Sequence, residues 1–348
     1  MATISNEVSR TLGEYRLIPR LSGVEHKPEN ISLKTPFAYY AEMLQTDLNF
    51  FKFVYENSII GKWADATGNH HSATALGVDG IKLQEEFCKH LGVGFMDAPA
   101  QIPGLEFEAD IFYAMARTGE TINNLAKYIA LGRGDDVNIF VNANPKRKKG
   151  SSAMPHKDAK NGNPTAEEQV MSVRNYLVGN MTTGLLNCEM PYARNLAASS
   201  NSRINFSAGF KFLDHGIRRL SNVVYWLGLN EERSLERVER SFGCPTSQQV
   251  MTYLTDHNKT SDPMTREDAH NLMARLSTYA WENKQQLGDV ILRDRLNSPK
   301  LREDASKVRE RLSQEIITEI TDPLTYIGES KRIIDIIADK HYQRKTLT

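Results

Sequence analysis

Residues 150–157 read Gly-Ser-Ser-Ala-Met-Pro-His-Lys, and after five intervening positions come Asn163-Pro164 and then Glu168. Serine is a weak base in water. It becomes an effective one where backbone N–H groups and a cation stabilise its alkoxide, and small neighbours leave room for both. Gly150, Ser151, Ser152 and Lys157 supply those ingredients within one stretch, so the run reads as a catalytic loop built to pull a proton from its substrate. The plain alternative is a surface loop ahead of a helix that starts near Pro164.

A second cluster, Arg194-Asn195-Leu196-Ala197-Ala198-Ser199-Ser200-Asn201-Ser202-Arg203, brackets small hydroxyl residues with two arginines. Guanidinium forks, serine hydroxyls and free N–H groups at a helix entrance make a natural site for a dianion; a polar N-cap with solvated arginines is the alternative. A third cluster, Thr67-Gly68-Asn69-His70-His71-Ser72, carries adjacent histidines without acidic partners at ligand spacing. It therefore points to substrate hydrogen bonding or a turn and not to a metal. Gln101 carries no signal by itself, and the remaining histidines are scattered.

The elements that must position these residues are long helices. Apolar residues recur at steps of four and three through Phe37, Ala41, Leu44, Leu48, Phe51 and Tyr55. They do so again through Ile111, Met115, Thr118, Ile122, Leu125 and Ile129, and through Phe206, Phe210, Leu213, Ile217, Leu220, Val224 and Leu227. Strand signals and Gly-rich phosphate loops are weak or absent, so the fold class is all-α: a long-helix bundle. Residues 1–230 are expected to form the bundle domain, with the first long helix opening at Pro36 and the loop 143–164 joining two long helices. Residues 231–348, richer in charge and broken at Gly243-Cys244-Pro245, Asn258 to Pro263 and Asp322-Pro323, are expected to form a smaller helical domain.

Composition narrows the class of function. In 348 residues, 43 Lys and Arg balance 43 Asp and Glu, so no overall field favours nucleic acid or an anionic membrane, and a small anionic ligand is the expected partner. Cys88, Cys188 and Cys244 fit neither a disulfide framework nor a zinc site, which suits a reducing cytoplasm. No apolar run approaches a membrane span, and the first residues lack the pattern of an export signal.

Taken together, these stretches resemble the aspartase/fumarase superfamily, whose defining loop is GSSxMPxKxNP. Within it the chain is most similar to the adenylosuccinate lyases. The similarity runs through IPRLS at 18–22, ATGNHH at 66–71, AQI at 100–102, the loop itself, YARNLAASSNSR at 192–203 and DPLTYIG at 322–328. The resemblance implies an all-α homotetramer around shared long helices, a C–N lyase of purine biosynthesis that releases fumarate from succinyl-adenine nucleotides, and no cofactor. By the same resemblance Ser151 or Ser152 is the base, and Lys157 and Asn163 hold the carboxylates. Glu168 stands where a glutamate orients the family's catalytic histidine. Arg194, Ser199 and Arg203 fall on phosphate contacts, and Gly68, Asn69 and Gln101 on substrate-binding positions.

The chain departs from the family at three places. Aligned on Pro28, Glu25 stands where the family's THGQP-like stretch has its acid histidine, with His26 taking the place if the register shifts by one. Asp158–Gly162 lengthens the loop. The family's first domain has no match, so a companion polypeptide is expected to supply it, or else the site is simplified. The departures leave room for a lyase, including a C–O lyase, acting on another phosphorylated or sulfonated carboxylic acid, or for a non-catalytic subunit that co-assembles with a lyase.

Overall fold

The structure, a computed structural model, describes residues 28–144, 154 and 162–345. The chain divides into two compact units. One is formed by Phe37–Gly228 with the chain from Ile337, the other by Leu229–Ile336 with the helical residues up to Pro36.

The first unit is built on α1 (Pro28–Ser58), the short α2 (His71–Ala75), α3 (Gly80–Leu91) and three long helices, α4 (Glu106–Gly132), α5 (Thr165–Asn187) and α6 (Leu196–Tyr225). Its few strands are short. The strand β1 (Ile60–Gly61) runs parallel to β2 (Gly94–Phe95), with Ile60 opposite Gly94, and β3 (Phe140–Asn142) pairs with β4 (Leu227–Leu229). The all-α class read from the sequence is correct. The expected start of α1 is not: the helix begins at Pro28, where a missing N–H costs nothing, and Pro36 lies inside it at the cost of one ladder bond.

The long helices alternate in direction, as contacts along their lengths show. Ser58 donates to Asp110 Oδ2 at 2.9 Å, Arg117 to Asp47 Oδ1 at 2.8 Å, and Phe37 meets Tyr128 edge-on at 5.8 Å, so α1 runs against α4. A Cβ on Gly119 would lie 2.8 Å from Leu177, and one on Gly184 would lie 2.5 Å from Phe112, so α4 and α5 run antiparallel at close approach. Asn180 donates to the Asn205 carbonyl at 3.0 Å and Arg219 to Gln169 at 2.8 Å, which sets α6 against α5.

All six residues of the α4 stripe are buried, and Leu213, Ile217, Leu220 and Val224 carry the buried face of α6. Each such aliphatic side chain is worth about 1.5–3 kcal/mol of transfer energy. On α1 the expected stripe drifts: Asp47 and Val54 are buried where Leu48 and Tyr55 had been expected, and Asp47 takes its inward place by accepting from Arg117 of α4.

The second unit contains α7 (Glu231–Glu239), a 3-10 turn at Cys244–Thr246, α8 (Ser247–Thr255), α9 (Arg266–Glu282), α10 (Leu287–Leu292), α11 (Pro299–Arg309), α12 (Gln314–Ile320) and most of the first turns of α13 (Ser330–Lys345). Val250, Leu254, Leu272, Leu276, Val290 and Ile291 form its core. Asn230, Thr265 and Ser313 cap α7, α9 and α12 through their side-chain oxygens. Arg275 grips the buried Asp304 with two bonds of 2.6 and 2.9 Å. The three cysteines are unpaired. Among the described residues no helix is long and apolar enough to cross a membrane.

Candidate functional site

Two of the sequence clusters, at 67–72 and 192–203, meet with Gln101 at the end of the bundle where α4 and α6 begin and α5 ends. Gly68 sits at φ 79°, and a Cβ there would collide with the Pro99 carbonyl oxygen, so only glycine lets this turn lie against the segment leading to Gln101. Lys62 ties the two together, donating to the carbonyls of Asp65 and of Gln101, the latter at 2.6 Å; burial lowers the pKa of its ammonium, with Asp65 opposing the shift. Asp65 in turn accepts from the backbone N–H groups of Thr67 and Ser72, and these bonds hold its carboxyl below its ordinary pKa. From the other side Tyr192 donates its hydroxyl to the Thr67 carbonyl at 3.3 Å. Gly68, Asn69, Gln101 and the approach to Arg194 are thereby gathered into one place.

The arginine cluster does open a helix, though earlier than the stripe suggested. Asn195 caps α6, accepting from Ala197 N–H at 3.0 Å and Ala198 N–H at 3.4 Å, so Ser199, Ser202 and Arg203 lie in its first turns. Arg194 precedes the cap, and its Nε is buried with no partner, a donor left waiting for an acceptor. Ala193, just before it, is held at φ 82°, and Asp65 and His70 also take left-handed conformations that L side chains resist by roughly 1–3 kcal/mol. Ser199 donates its hydroxyl proton to the Asn195 carbonyl at 3.2 Å. Asn187, at the end of α5, reaches Asn201 and Ser202 at 3.3 Å.

Beside this cluster opens a cavity of about 720 Å³ whose surface is chiefly apolar and includes Phe107, Phe206 and Phe210, with Glu108, Ser202, Arg203, Lys211 and Asp214 among its polar side chains. Its size and lining suit a small molecule that carries a flat ring and an anionic group. His70 is buried against Gly80, which marks it as part of the turn's packing, and His71 is exposed. Among the described residues no group of three His, Cys, Asp or Glu could hold a metal ion.

Asn163 and Glu168 stand elsewhere. Asn163 stands just ahead of α5 and Glu168 in its first turn, while the Arg194 cluster follows the far end of this helix, whose 23 residues span about 34 Å at 1.5 Å per residue. Both are exposed, and the Glu168 N–H donates to the Pro164 carbonyl at 2.9 Å. Next to them is a device the sequence did not disclose. Arg133, buried at the end of α4, pairs with the buried Glu167 and donates to the Gly162 carbonyl at 2.9 Å, so it fixes the backbone just ahead of Asn163. Each charge also sits at the helix end whose dipole favours it. Ser151, Ser152, Lys157, Glu25 and His26 lie outside the described residues.

No protein-family model matches the chain. It is similar to the adenylosuccinate lyase of Streptococcus mutans serotype c, with 26% identity over 321 residues that make up 92% of this chain and 68% of that protein. It is similar also to the adenylosuccinate lyase of Staphylococcus saprophyticus subsp. saprophyticus, with 25% identity over 315 residues, 90% of this chain and 66% of that protein. The chain thus spans about two thirds of the length of these relatives. Among solved structures it shares the fold of a fumarate lyase from Mesorhizobium sp. BNC1, with a TM-score of 0.72, 14% identity and coverage of 97% of this chain and 73% of that one. It likewise shares the fold of the 3-carboxy-cis,cis-muconate lactonizing enzyme from Pseudomonas putida, with a TM-score of 0.72, 13% identity and coverage of 98% and 73%.

Proposed function

We propose that this chain, a divergent relative of the adenylosuccinate lyases built on the fumarate lyase fold, releases fumarate from a succinylamino nucleotide. The observation that carries the reading is the meeting of Gly68, Gln101 and Arg194 at one end of the bundle, beside a cavity lined by Arg203 and three phenylalanines. Arg194, just ahead of the cap, and the opening turn of α6 offer a phosphate group a positive charge and hydrogen-bond donors. The aromatic wall offers a purine ring a face to pack on.

In this reaction a base, Ser151 or Ser152, takes the proton from the carbon beside a carboxylate, and the electron pair moves into that carboxylate. Lys157 and Asn163 hold the resulting charge. The pair then returns to form the carbon–carbon double bond as the neighbouring C–N bond breaks, and its electrons leave with the nitrogen, which takes up a proton. The separation of about 34 Å along α5 keeps Asn163 and Arg194 of one chain from touching one small substrate. On this reading the complete site draws its two halves from different chains, and the assembly we propose is a homotetramer. Exposed Leu185, Leu186, Leu196 and Ile204 at the junction of α5 and α6 supply apolar surface for such contacts.

The test is to mix the purified protein with adenylosuccinate and follow the ultraviolet spectrum of the purine while measuring fumarate by NMR. The expected result is loss of the succinylamino chromophore with one fumarate formed per substrate consumed. Turnover of another phosphorylated or sulfonated carboxylic acid, but not of this one, would reassign the substrate. Turnover of none by a correctly assembled protein would leave a non-catalytic subunit.

A further inference from the structure

The elimination leaves an open question: which group protonates the departing nitrogen, when Glu25 stands at the place where the related lyases are expected to carry a histidine. We infer that Glu108, in the first turns of α4, is that proton donor; the inference rests on the elimination proposed above. Glu108 lines the same cavity as Arg203 and the phenylalanines, one residue from Phe107 and one helical turn from Leu105, and so shares the wall against which the ring of the leaving group would pack. Its carboxyl is half-buried, takes a hydrogen bond from Ser202, and keeps Oε1 buried with no partner.

An ionised carboxylate with a naked buried oxygen is costly, whereas the neutral acid removes the charge and turns one oxygen into a donor in search of an acceptor. Burial accordingly raises the pKa of Glu108, and the Ser202 hydrogen bond only offsets part of the shift. Glu106 and Asp110 flank Glu108 along α4, and Arg203, Lys211 and Asp214 of α6 line the same cavity; the Cys188 thiol at the end of α5 is pushed up, first by burial and then by Glu106, Glu108 and Asp110. Within the cavity Glu108 is thus a carboxyl that keeps its proton to higher pH than an ordinary one and releases it to a stronger base. An amine nitrogen that has just received the electron pair of a broken C–N bond is such a base. The nitrogen gains the proton, Glu108 is left as the carboxylate, and it recovers a proton from solvent before the next turnover. No other reagent is needed.

The experiment compares the wild type with Glu108→Gln and Glu108→Asp over a range of pH, with adenylosuccinate as substrate. A donor must be protonated to act, so wild-type kcat is expected to fall on the alkaline side as Glu108 ionises. Glu108→Gln, nearly isosteric and unable to donate, is expected to lower kcat by about 10²–10⁴ with KM changed only a few-fold, and to lose that alkaline limb. Glu108→Asp is expected to recover part of kcat and to keep the limb. Circular dichroism and thermal unfolding confirm that each variant folds. A Glu108→Gln variant with wild-type kcat, or one altered only in KM, overturns the role of Glu108 while leaving the elimination standing. A wild type that releases no fumarate sinks the elimination itself, and the donor with it.

Discussion

Replacing Arg133 with methionine should be among the most damaging single changes in the bundle. Arg133 is 6% exposed and its partner Glu167 1%, so the substitution leaves a carboxylate buried without its counter-charge and also frees the Gly162 carbonyl. Breaking a buried pair from one side typically costs about 3–5 kcal/mol, well above the median of about 0–1 kcal/mol for an exposed pair. At about 2–4 °C per kcal/mol for a domain of this size, Tm should fall by roughly 6–20 °C. Removing both charges, as in Arg133→Met with Glu167→Leu, should recover most of the loss, because well-packed apolar groups replace such pairs at little cost. The unmade bond to Gly162 should remain, leaving the double variant about 1–3 kcal/mol short. Thermal unfolding by circular dichroism at one fixed protein concentration reads both numbers. If the single variant loses less than about 1 kcal/mol, or the double variant is no better than the single, the pair is not the coupled buried unit described, and its hold on the backbone before Asn163 goes with it.

Gly184→Ala should destabilise by about 1–3 kcal/mol, since its Cβ would sit 2.5 Å from Phe112 in a packed helix contact; equal stability in chemical denaturation would show that α5 can shift. Arg194→Gln should raise KM for a phosphorylated substrate about 10–100-fold with a smaller effect on kcat, as expected for the loss of a charge-assisted contact; a change in kcat alone would place Arg194 at the chemistry instead. Light scattering should give a mass four times that of the chain, and a monomer that retains turnover would refute the shared site. Glu303 should titrate near its value of about 2, held there by Lys307 and Lys300. Its ion pairs are thus intact above the ordinary carboxylate range and are lost as pH falls through about 2, and Lys307→Met should move the NMR titration back toward the usual range.

The legible part of this fold was the part written in apolar residues. The stripe on α4 and the run Leu213 to Val224 on α6 stand where the spacing put them because their buried faces are almost wholly hydrophobic, whereas Leu227, counted in the same stripe, lies past the helix in β4. α5 was visible only through Pro164 at its head. Its buried face mixes Val170, Val173 and Leu177 with Glu167, Asn180, Gly184 and Asn187, and polar or small residues at core positions erase the periodic signal. The proposed binding residues stood out as motifs, but the approach of Gly68, Gln101 and Tyr192 to one another did not. Nothing in the spacing of Thr67, Gln101 and Tyr192 says that a lysine at 62 and a tyrosyl hydroxyl at 192 draw them together, since such contacts join positions up to 125 residues apart.

The same limit explains why two neighbouring glutamates on α5 have opposite roles. Glu168, singled out by the resemblance, is exposed, while Glu167 is sealed against Arg133, because one residue along a helix is a rotation of about 100° and takes a side chain from solvent to core. Glu108 repeats the lesson. Two other acids, Glu106 and Asp110, flank it at two residues' distance, and in sequence the three are interchangeable; only Glu108 combines the cavity wall, the Ser202 hydroxyl and a buried oxygen without a partner. A motif can say which kinds of group the chemistry needs. Which carboxyl carries the proton depends on how far each is withdrawn from water, and that is fixed by the turn of a helix against its neighbours.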